Sequence, residues 1–205
     1  MEKPKALVLL SGGVDSTTLL YYVKKVLKYT DVAALIFDYG QKHKKEIEYA
    51  KKNAEKLKVK YKVRKIDVFT EDSHPLKNGL IPNSKEDKQY KTVVPARNLL
   101  FISYAVREAM LEGCQDVFIA SCMNDFKSYP DCRKEFIESL CKATSLAYGV
   151  RIYAPFAEME KKKIVEIGRK LGVDFDETWS CYKGLDKPCG KCNACAERLE
   201  ALRED

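Results

Sequence analysis

Residues 7–22 read LVLLSGGVDSTTLLYY, an apolar run that leads through a glycine pair into a second hydrophobic stretch. The spacing predicts a strand over residues 6–10 and a helix over residues 16–28, joined by a tight turn. Glycines let the backbone turn sharply and approach a ligand, and the N–H groups at a helix start attract an anion. The stretch therefore predicts a phosphate-binding turn. The alternative is an ordinary tight turn with Ser16 or Asp15 as the helix cap.

Beyond this stretch, the chain alternates strand-like apolar runs with helical patterns. Further strands are predicted at residues 32–37, 61–68, 117–120 and 151–153, and further helices around residues 47–57, 98–111, 135–148 and 161–171. This alternation is typical of an α/β fold, here a parallel five-stranded sheet with helices on both faces. Ligands bind such sheets beyond the carboxyl ends of the strands, where the glycine turn is expected.

Two segments depart from this alternation. Residues 70–92 are polar and rich in turn-forming residues, so they are predicted to form a loop. From residue 174 the chain becomes cysteine-rich, which predicts an α/β domain over residues 1–173 and a small C-terminal knuckle with a short helix over residues 174–205. The helix at residues 98–111 is apolar on nearly every side and is predicted to be buried.

The composition predicts a cytoplasmic protein. Its 205 residues contain no apolar run of the roughly 20 residues that cross a membrane, and the N-terminal run lacks the cleavage site of a signal peptide. Lysine and arginine number 37 against 30 acidic residues, and they are spread along the chain. A solvated basic surface explains this excess, and a surface for an anionic ligand or RNA is the alternative.

Four of the eight cysteines lie close together near the C-terminus, with two overlapping C-x-x-C spacings. They are Cys181, Cys189, Cys192 and Cys195. Four thiolates suit a tetrahedral zinc ion, which would be structural and would fold a segment too small for its own core. An iron–sulfur cluster, disulfides or free thiols are the alternatives. The other four cysteines have no such spacing and are expected to be inert, mostly within the core.

The glycine turn lacks the lysine of the P-loop pattern G-x-x-x-x-G-K-[ST]. Its sequence SGGVDS resembles the signature of the PP-loop ATPases, which cleave ATP between the α- and β-phosphates and adenylate their substrates. The resemblance implies that the turn holds the departing pyrophosphate. The implied ATP contacts are Leu10, Ser11, Gly12, Gly13, Val14, Asp15, Ser16, Thr17, Thr18, Leu19 and Leu20.

Two charged side chains complete this implied site. Asp15 is expected to engage Mg²⁺, and Lys161 is expected to supply the missing positive charge from the start of the last long helix. Lys163 is an alternative source of that charge. The alternative interpretation of either lysine is an ordinary exposed position on a helix.

Further motifs along nearly the whole chain resemble one family of PP-loop enzymes. They are FDYGQKH at residues 37–43, VPARN at 94–98, YPDCR at 129–133 and SCY…CGKCNAC at 180–195. Together with SGGVDSTT they are similar to the QueC family. The resemblance implies an ATP-dependent ligase that converts 7-carboxy-7-deazaguanine and ammonia into 7-cyano-7-deazaguanine, a precursor of queuosine and archaeosine. It also implies a homodimer that binds no nucleic acid directly.

The implied reaction begins with adenylation, because oxide is a poor leaving group from a carboxylate whereas AMP is a good one. Ammonia then gives the amide, and a second adenylation on the amide oxygen lets AMP leave as the nitrile forms. His43 is expected to move a proton from ammonium, with a hydrogen-bonding role at a helix start as the alternative. Arg97 is expected to neutralise a carboxylate or phosphate, with an ordinary salt bridge as the alternative.

The remaining motif residues are expected to bind the deazapurine. They are Tyr39, Gln41, Asn98, Tyr129, Asp131 and Arg133. Asp131 suits pairing with guanine-like N–H groups, and a tyrosine can stack on the base. Asp131 could instead cap the next helix. Two other functions stay open, a PP-loop tRNA-thiolating enzyme and a nucleic-acid-binding module with a zinc knuckle.

Overall fold

The computed structural model describes residues 4–69, 71–84, 92–125 and 129–203. Its centre is a sheet of five parallel strands. In chain order the strands are β1 (Ala6–Leu9), β2 (Val32–Asp38), β3 (Lys60–Lys65), β4 (Asp116–Phe118) and β5 (Arg151–Tyr153). Their order across the sheet is β3-β2-β1-β4-β5, so the chain starts in the middle, builds one half outward and then returns to build the other.

Seven α-helices accompany the sheet in the described ranges. They are α1 (Val14–Lys25), α2 (Lys45–Lys56), α3 (Pro75–Asn78), α4 (Arg97–Glu112), α5 (Lys134–Tyr148), α6 (Lys161–Leu171) and α7 (Asn193–Leu202). None of these helices is long and apolar enough to cross a membrane. Every helix predicted from the sequence forms within a few residues of its expected position. The helix α3 was not predicted.

The sheet buries both of its faces, because side chains alternate along each strand. On one face, Ala6 and Val8 of β1 pack with residues of α1, α2 and α6. On the other face, Leu7 packs with residues of α4 and α5. Helices therefore cover both faces, and the predicted α/β fold with a five-stranded parallel sheet is confirmed.

The C-terminal stretch packs against this same core. Trp179, Cys181, Cys192 and Cys195 belong to the buried cluster that contains Leu7 of β1. The boundary predicted at residue 173 thus lies between two segments that share a core, and the division into two domains stays a prediction.

α4 differs from its prediction. Its buried face carries Ile102, Ala105, Val106 and Ala109. Its outer face exposes large apolar side chains, of which Leu100 is 41%, Tyr104 42% and Leu111 63% exposed. No element among the described residues covers this outer face, so the prediction that the helix is buried was wrong for the single chain.

The predicted loop over residues 70–92 contains the short helix α3. Pro75 begins this helix, and His74 caps it by accepting a hydrogen bond from Leu76 N at 3.2 Å. Leu76 is fully buried, and its carbonyl accepts a hydrogen bond from Lys42 N at 2.7 Å. Residues 70 and 85–91 of this predicted loop lie outside the described residues.

Candidate active site

A cavity of about 580 Å³ opens beyond the carboxyl ends of β1, β2 and β4. The order of the strands reverses between β1 and β4, and the crevice at such a switch point is the usual ligand site of an open parallel sheet. The cavity wall contains the turn after β1, Tyr39 after β2 and Ser121 after β4. The C-terminal stretch adds Trp179 and Tyr182 to the wall.

Serine hydroxyls hold the turn after β1. Ser16 Oγ accepts a hydrogen bond from Ser11 N at 3.1 Å and lies 2.9 Å from Ser11 Oγ. Gly13 is the N-cap of α1, and its N–H donates to Ser11 Oγ at 3.4 Å. Because the cap is a glycine, it has no side chain that could bind the first N–H groups of α1. Gly13 and Val14, where the helix begins, both line the cavity. The turn therefore has the geometry of an anion site.

Gly12 lets this turn pass directly against α2. Its φ is +81°, and a Cβ there would overlap the carbonyl oxygen of Glu46 and lie 2.7 Å from Ala50 N. Gly12 O also accepts a hydrogen bond from Trp179 N at 2.8 Å, which ties the turn to the C-terminal stretch. Glycine alone satisfies both the backbone angle and the close approach.

The residues with an implied ATP role fall into two groups. Those in the cavity wall are Leu10, Ser11, Gly13, Val14, Asp15 and Ser16. Those buried behind the wall are Gly12, Thr17, Thr18, Leu19 and Leu20. The second group shapes the turn and anchors α1 in the core, and direct contact between these residues and ATP stays a prediction.

Lys161 lies at the first position of α6, beside the turn. Its Nζ is 2.7 Å from Glu197 Oε2 and 3.4 Å from Asp15 Oδ2, and the residue lines the cavity. Lys163 lies outside the cavity wall and pairs with Glu166 at 2.8 Å. Of the two lysines considered from the sequence, Lys161 is the one placed to meet a phosphate.

Replacing Lys161 with methionine is expected to weaken ATP binding about 10- to 100-fold, because a hydrogen bond to a charged group contributes about 1.5–3 kcal/mol. Methionine keeps an unbranched stem and removes the charge. Lys163→Met is the matched control, since it removes the same charge from the same helix outside the cavity. Calorimetric titration with an ATP analogue whose α–β bond cannot be cleaved measures both variants. Equal affinities in the two variants would show that Lys161 does not meet ATP.

Arg97, at the first position of α4, lies among aromatic rings of the cavity wall. Its guanidinium carbon is 5.9 Å from the ring centre of Tyr39, 5.8 Å from that of Phe101 and 5.6 Å from that of Tyr129. Burial lowers the pKa of Arg97, but the surrounding tyrosines and Glu46 outweigh it, so the pKa is raised above its usual value. Its Nε is buried without a hydrogen-bond partner among the described residues. Arg97 is therefore a cation with an unused donor.

Asp131 holds the start of α4. Its Oδ2 accepts a hydrogen bond from Asn98 N at 3.0 Å, and its Oδ1 accepts one from Asn98 Nδ2 at 3.3 Å. Ala96, the N-cap of α4, has a φ of +52° and no side chain that could do this. Asn98 and Tyr129 line the cavity, whereas Asp131 and the exposed Arg133 do not. Asp131 thus caps a helix, although α4 rather than the next one, and base pairing by Asp131 stays a prediction.

A buried polar cluster, formed by Tyr39, Gln41, His43 and Glu46, lies at the edge of the cavity. Gln41 is fully buried, accepts a hydrogen bond from Tyr39 N at 2.8 Å and donates one to Glu46 Oε1 at 2.7 Å. His43 is 1% exposed, and its Nε2 lies 3.4 Å from both Tyr39 Oη and Glu46 Oε2. Tyr39 and Glu46 line the cavity, but Gln41 and His43 do not. Substrate contact by Gln41 and proton transfer by His43 stay predictions.

The four cysteines of the knuckle converge on one point. Their sulfur atoms lie within 4.8 Å of one another, and Cys189 Sγ is 3.9 Å from Cys195 Sγ. A zinc–sulfur bond of about 2.3 Å places the sulfurs of a tetrahedral site about 3.8 Å apart, so donors and spacing fit one ion. Hydrogen bonds from the thiols of Cys192 and Cys195 lower the pKa of Cys181. The cluster can therefore bind a metal ion.

The other four cysteines have separate surroundings. Cys114, Cys122 and Cys132 are buried and Cys141 is half-buried. Burial raises the pKa of the Cys114 thiol to about 11, which makes it unreactive. Cys132 lines the cavity, where its Sγ accepts a hydrogen bond from Asn98 Nδ2 at 2.9 Å.

Sequence reasoning missed several residues of the cavity wall. Trp179 is the single tryptophan of the chain and directly precedes the SCY motif, which was a usable signal. Glu46 follows His43 by about one helical turn, and this spacing was a weaker signal in the sequence. Glu197 carried no signal, because its contact with Lys161 joins α7 to α6 across 36 positions of the chain.

Two solved structures align with 98% of this chain. The U34-tRNA thiolase NcsA from Methanococcus maripaludis, with its 4Fe–4S cluster, has a TM-score of 0.58 at 17% identity. This chain spans 65% of that one, less than two thirds of its length. NMN synthetase from Francisella tularensis has a TM-score of 0.57 at 15% identity, with 79% of its chain covered. At these identities the similarity shows the fold alone, which is of the PP-loop type.

Similarity in sequence is much closer to proteins named 7-cyano-7-deazaguanine synthase. The one from Archaeoglobus fulgidus is 44% identical over 97% of this chain and 85% of its own length. The one from Caldicellulosiruptor saccharolyticus is 42% identical over 98% of this chain and 91% of its own length. The family model described as "Queuosine biosynthesis protein QueC" matches residues 5–205. Since that match spans nearly the whole sequence, the chain belongs to the QueC family.

Proposed function

We propose that this protein is an ATP-dependent ligase that converts 7-carboxy-7-deazaguanine and ammonia into 7-cyano-7-deazaguanine. One observation carries the proposal: a single cavity joins an anion-binding turn to an arginine set among aromatic rings. The turn suits the phosphates of ATP, and the arginine suits a flat heteroaromatic carboxylate. The name of the curated relatives supports the same reaction.

In the cavity wall, the turn and the N-terminus of α1 hold the phosphates that leave as pyrophosphate. Lys161 adds positive charge from α6, and its contact with Glu197 keeps the ammonium group at the wall. Asp15 is the carboxylate in this wall that would hold Mg²⁺, an ion that prefers carboxylate and phosphate oxygens. When bound, Mg²⁺ supplies further charge neutralisation at the phosphates.

In the same cavity wall, Arg97 binds the carboxylate of the deazapurine while Tyr39, Phe101 and Tyr129 pack against the deazapurine ring. A carboxylate oxygen attacks the α-phosphorus of ATP, and pyrophosphate leaves. Ammonia then attacks the activated carbon, and AMP leaves as the amide forms. The amide oxygen attacks a second ATP in the same way, and loss of AMP and of both protons from nitrogen gives the nitrile.

Zinc is the metal that we propose for the knuckle. A single ion explains four thiol sulfurs within 4.8 Å, whereas the thiolates of a 4Fe–4S cluster bind separate irons and lie farther apart. With all four positions taken by cysteine, the ion would be structural. It would hold the segment that supplies Trp179, Tyr182 and Glu197 to the cavity wall.

We also propose that the protein acts as a homodimer in the cytoplasm, where ATP is available and thiols stay reduced. The exposed apolar side chains of α4, among them Leu100, Tyr104 and Leu111, support an association of chains. The substrates are small molecules, and we expect no direct contact with nucleic acid.

Exchange of labelled pyrophosphate into ATP tests the adenylation step without ammonia. We expect exchange that depends on 7-carboxy-7-deazaguanine and is unaffected by tRNA, because the carboxylate itself is activated. Exchange that requires tRNA and ignores the deazapurine would contradict the proposal and favour a tRNA-thiolating enzyme.

A further inference from the structure

We infer that Glu46 forms an ammonium-binding site in the cavity wall and accepts the proton that ammonium must lose before it attacks. The inference rests on the proposed ligase function and identifies the residue that binds the nitrogen substrate of that reaction. Glu46 lies in the first turn of α2, lines the cavity and keeps 14% of its side chain exposed. Its carboxylate is therefore within reach of a small cation that enters the cavity.

Among the acidic residues of the cavity wall, Glu46 is the one without a lysine or arginine at ion-pair distance in the described part of the chain. The other two, Asp15 and Glu197, both contact Lys161. Glu46 contacts Gln41, an uncharged amide, and His43, at the distances given above. A carboxylate in a cavity wall that has no lysine or arginine at ion-pair distance among the described residues is suited to an incoming ammonium ion.

The buried polar cluster fixes the direction of this carboxylate. Gln41 Nε2 donates a hydrogen bond to Glu46 Oε1, so this oxygen already has a partner within the protein. His43 Nε2 lies 3.4 Å from Oε2 and equally far from Tyr39 Oη. Burial raises the pKa of Tyr39, so its hydroxyl stays protonated. Glu46 is thus backed by two buried side chains and faces a cavity that also holds Arg97.

The chemistry needs two proton acceptors at this place. The carboxylate of Glu46 takes one proton from ammonium, and the freed lone pair forms the C–N bond to the adenylated carbon. The C–O bond to AMP breaks, and its electron pair leaves on the phosphate oxygen. The attacking nitrogen then releases a second proton to the phosphate of the departing AMP, while the first proton passes from Glu46 to His43 Nε2. Glu46 therefore serves only the first deprotonation, which hydroxylamine does not require.

Hydroxylamine distinguishes this role from a structural one, because it is largely uncharged at neutral pH and attacks without first losing a proton. In Glu46→Gln, we expect amide and nitrile formation from ammonium to fall about 100-fold or more. Hydroxamate formation from hydroxylamine should stay within about threefold of the wild type. Carboxylate-dependent pyrophosphate exchange should also persist, since adenylation does not involve the nitrogen. Glutamine retains the shape of the side chain and an oxygen for Gln41 Nε2.

Glu48→Gln is the matched control, because Glu48 is an exposed carboxylate on the same helix. The ratio of the ammonium rate to the hydroxylamine rate is the decisive quantity, since it does not depend on the fraction of enzyme that is folded. Glu46→Asp, which retains a carboxylate, should restore part of that ratio. An unchanged ratio in Glu46→Gln, or loss of pyrophosphate exchange in this variant, would overturn the ammonium site. Absence of exchange in the wild type would overturn the proposed function, and the site with it.

Discussion

Gly12→Ala is expected to destabilise the protein by about 3 kcal/mol or more and to abolish most adenylation activity. A Cβ at this position would overlap the carbonyl oxygen of Glu46 and approach Ala50 N to 2.7 Å. Both atoms belong to the backbone of α2, so no side chain can rotate away. Either the turn or α2 must shift, and a shift of the turn displaces the N-terminus of α1 from the phosphates.

Gly149→Ala separates this steric effect from the cost of the backbone angle. Gly149 has a φ of +67°, but a Cβ there would meet nothing within 4 Å. We expect a loss of about 1 kcal/mol and no change in adenylation. Urea unfolding and pyrophosphate exchange measure both properties. Similar stability and activity in the two variants would contradict the close approach of the turn to α2.

Removal of the zinc ion that we propose for the knuckle is expected to have the second large effect, on both stability and adenylation. Structural zinc contributes about 10–16 kcal/mol to zinc-finger peptides, as much as the whole stability of an ordinary domain. Because Cys181, Cys192 and Cys195 belong to the core cluster that contains Leu7, their release opens the main core as well. A chelator strong enough to remove zinc should therefore lower the free energy of unfolding by about 5 kcal/mol or more and stop adenylation.

Cys192→Ser tests, without a chelator, whether the protein needs a metal ion in the knuckle. Cys141→Ser is the matched control. Cys192 is buried in the knuckle, whereas Cys141 lies in α5 and accepts a hydrogen bond from Ile152 N at 3.4 Å. A serine hydroxyl can accept that bond. We expect the control to retain equimolar zinc by mass spectrometry and the Cys192 variant to lose it. A stable, active protein without any metal would contradict a structural metal centre.

Local patterns explain why most of the fold could be predicted from the sequence. The apolar run before Gly12 and the helix after it are contiguous, and the same alternation repeats to β5. The knuckle was predictable for the same reason, since Cys189, Cys192 and Cys195 are close in sequence. The exposure of the outer face of α4 was not, because apolar residues such as Leu100 and Leu111 give the same local pattern whether they are buried or exposed.

The candidate site was harder to predict because its contacts join distant segments. The turn after β1 could be predicted as a candidate anion site. Glu197, however, reaches Lys161 from another helix, and Asp131 caps α4 from a short 3-10 helix that follows β4. His43 stood out as a titratable residue near a strand end, yet it is 1% exposed and contacts Glu46 rather than the cavity. Burial of this kind depends on packing, which the motif does not encode.

Counting AMP against nitrile tests most directly the claim that one cavity activates the substrate twice. Purified protein would be incubated with ATP, Mg²⁺, ammonium and 7-carboxy-7-deazaguanine, while chromatography with mass detection follows the base and the nucleotides together. The account predicts conversion of the carboxylate to the nitrile with twice as much AMP as nitrile. Nitrile formed with an equal amount of AMP, amide as the final product, or no conversion of the base would contradict it.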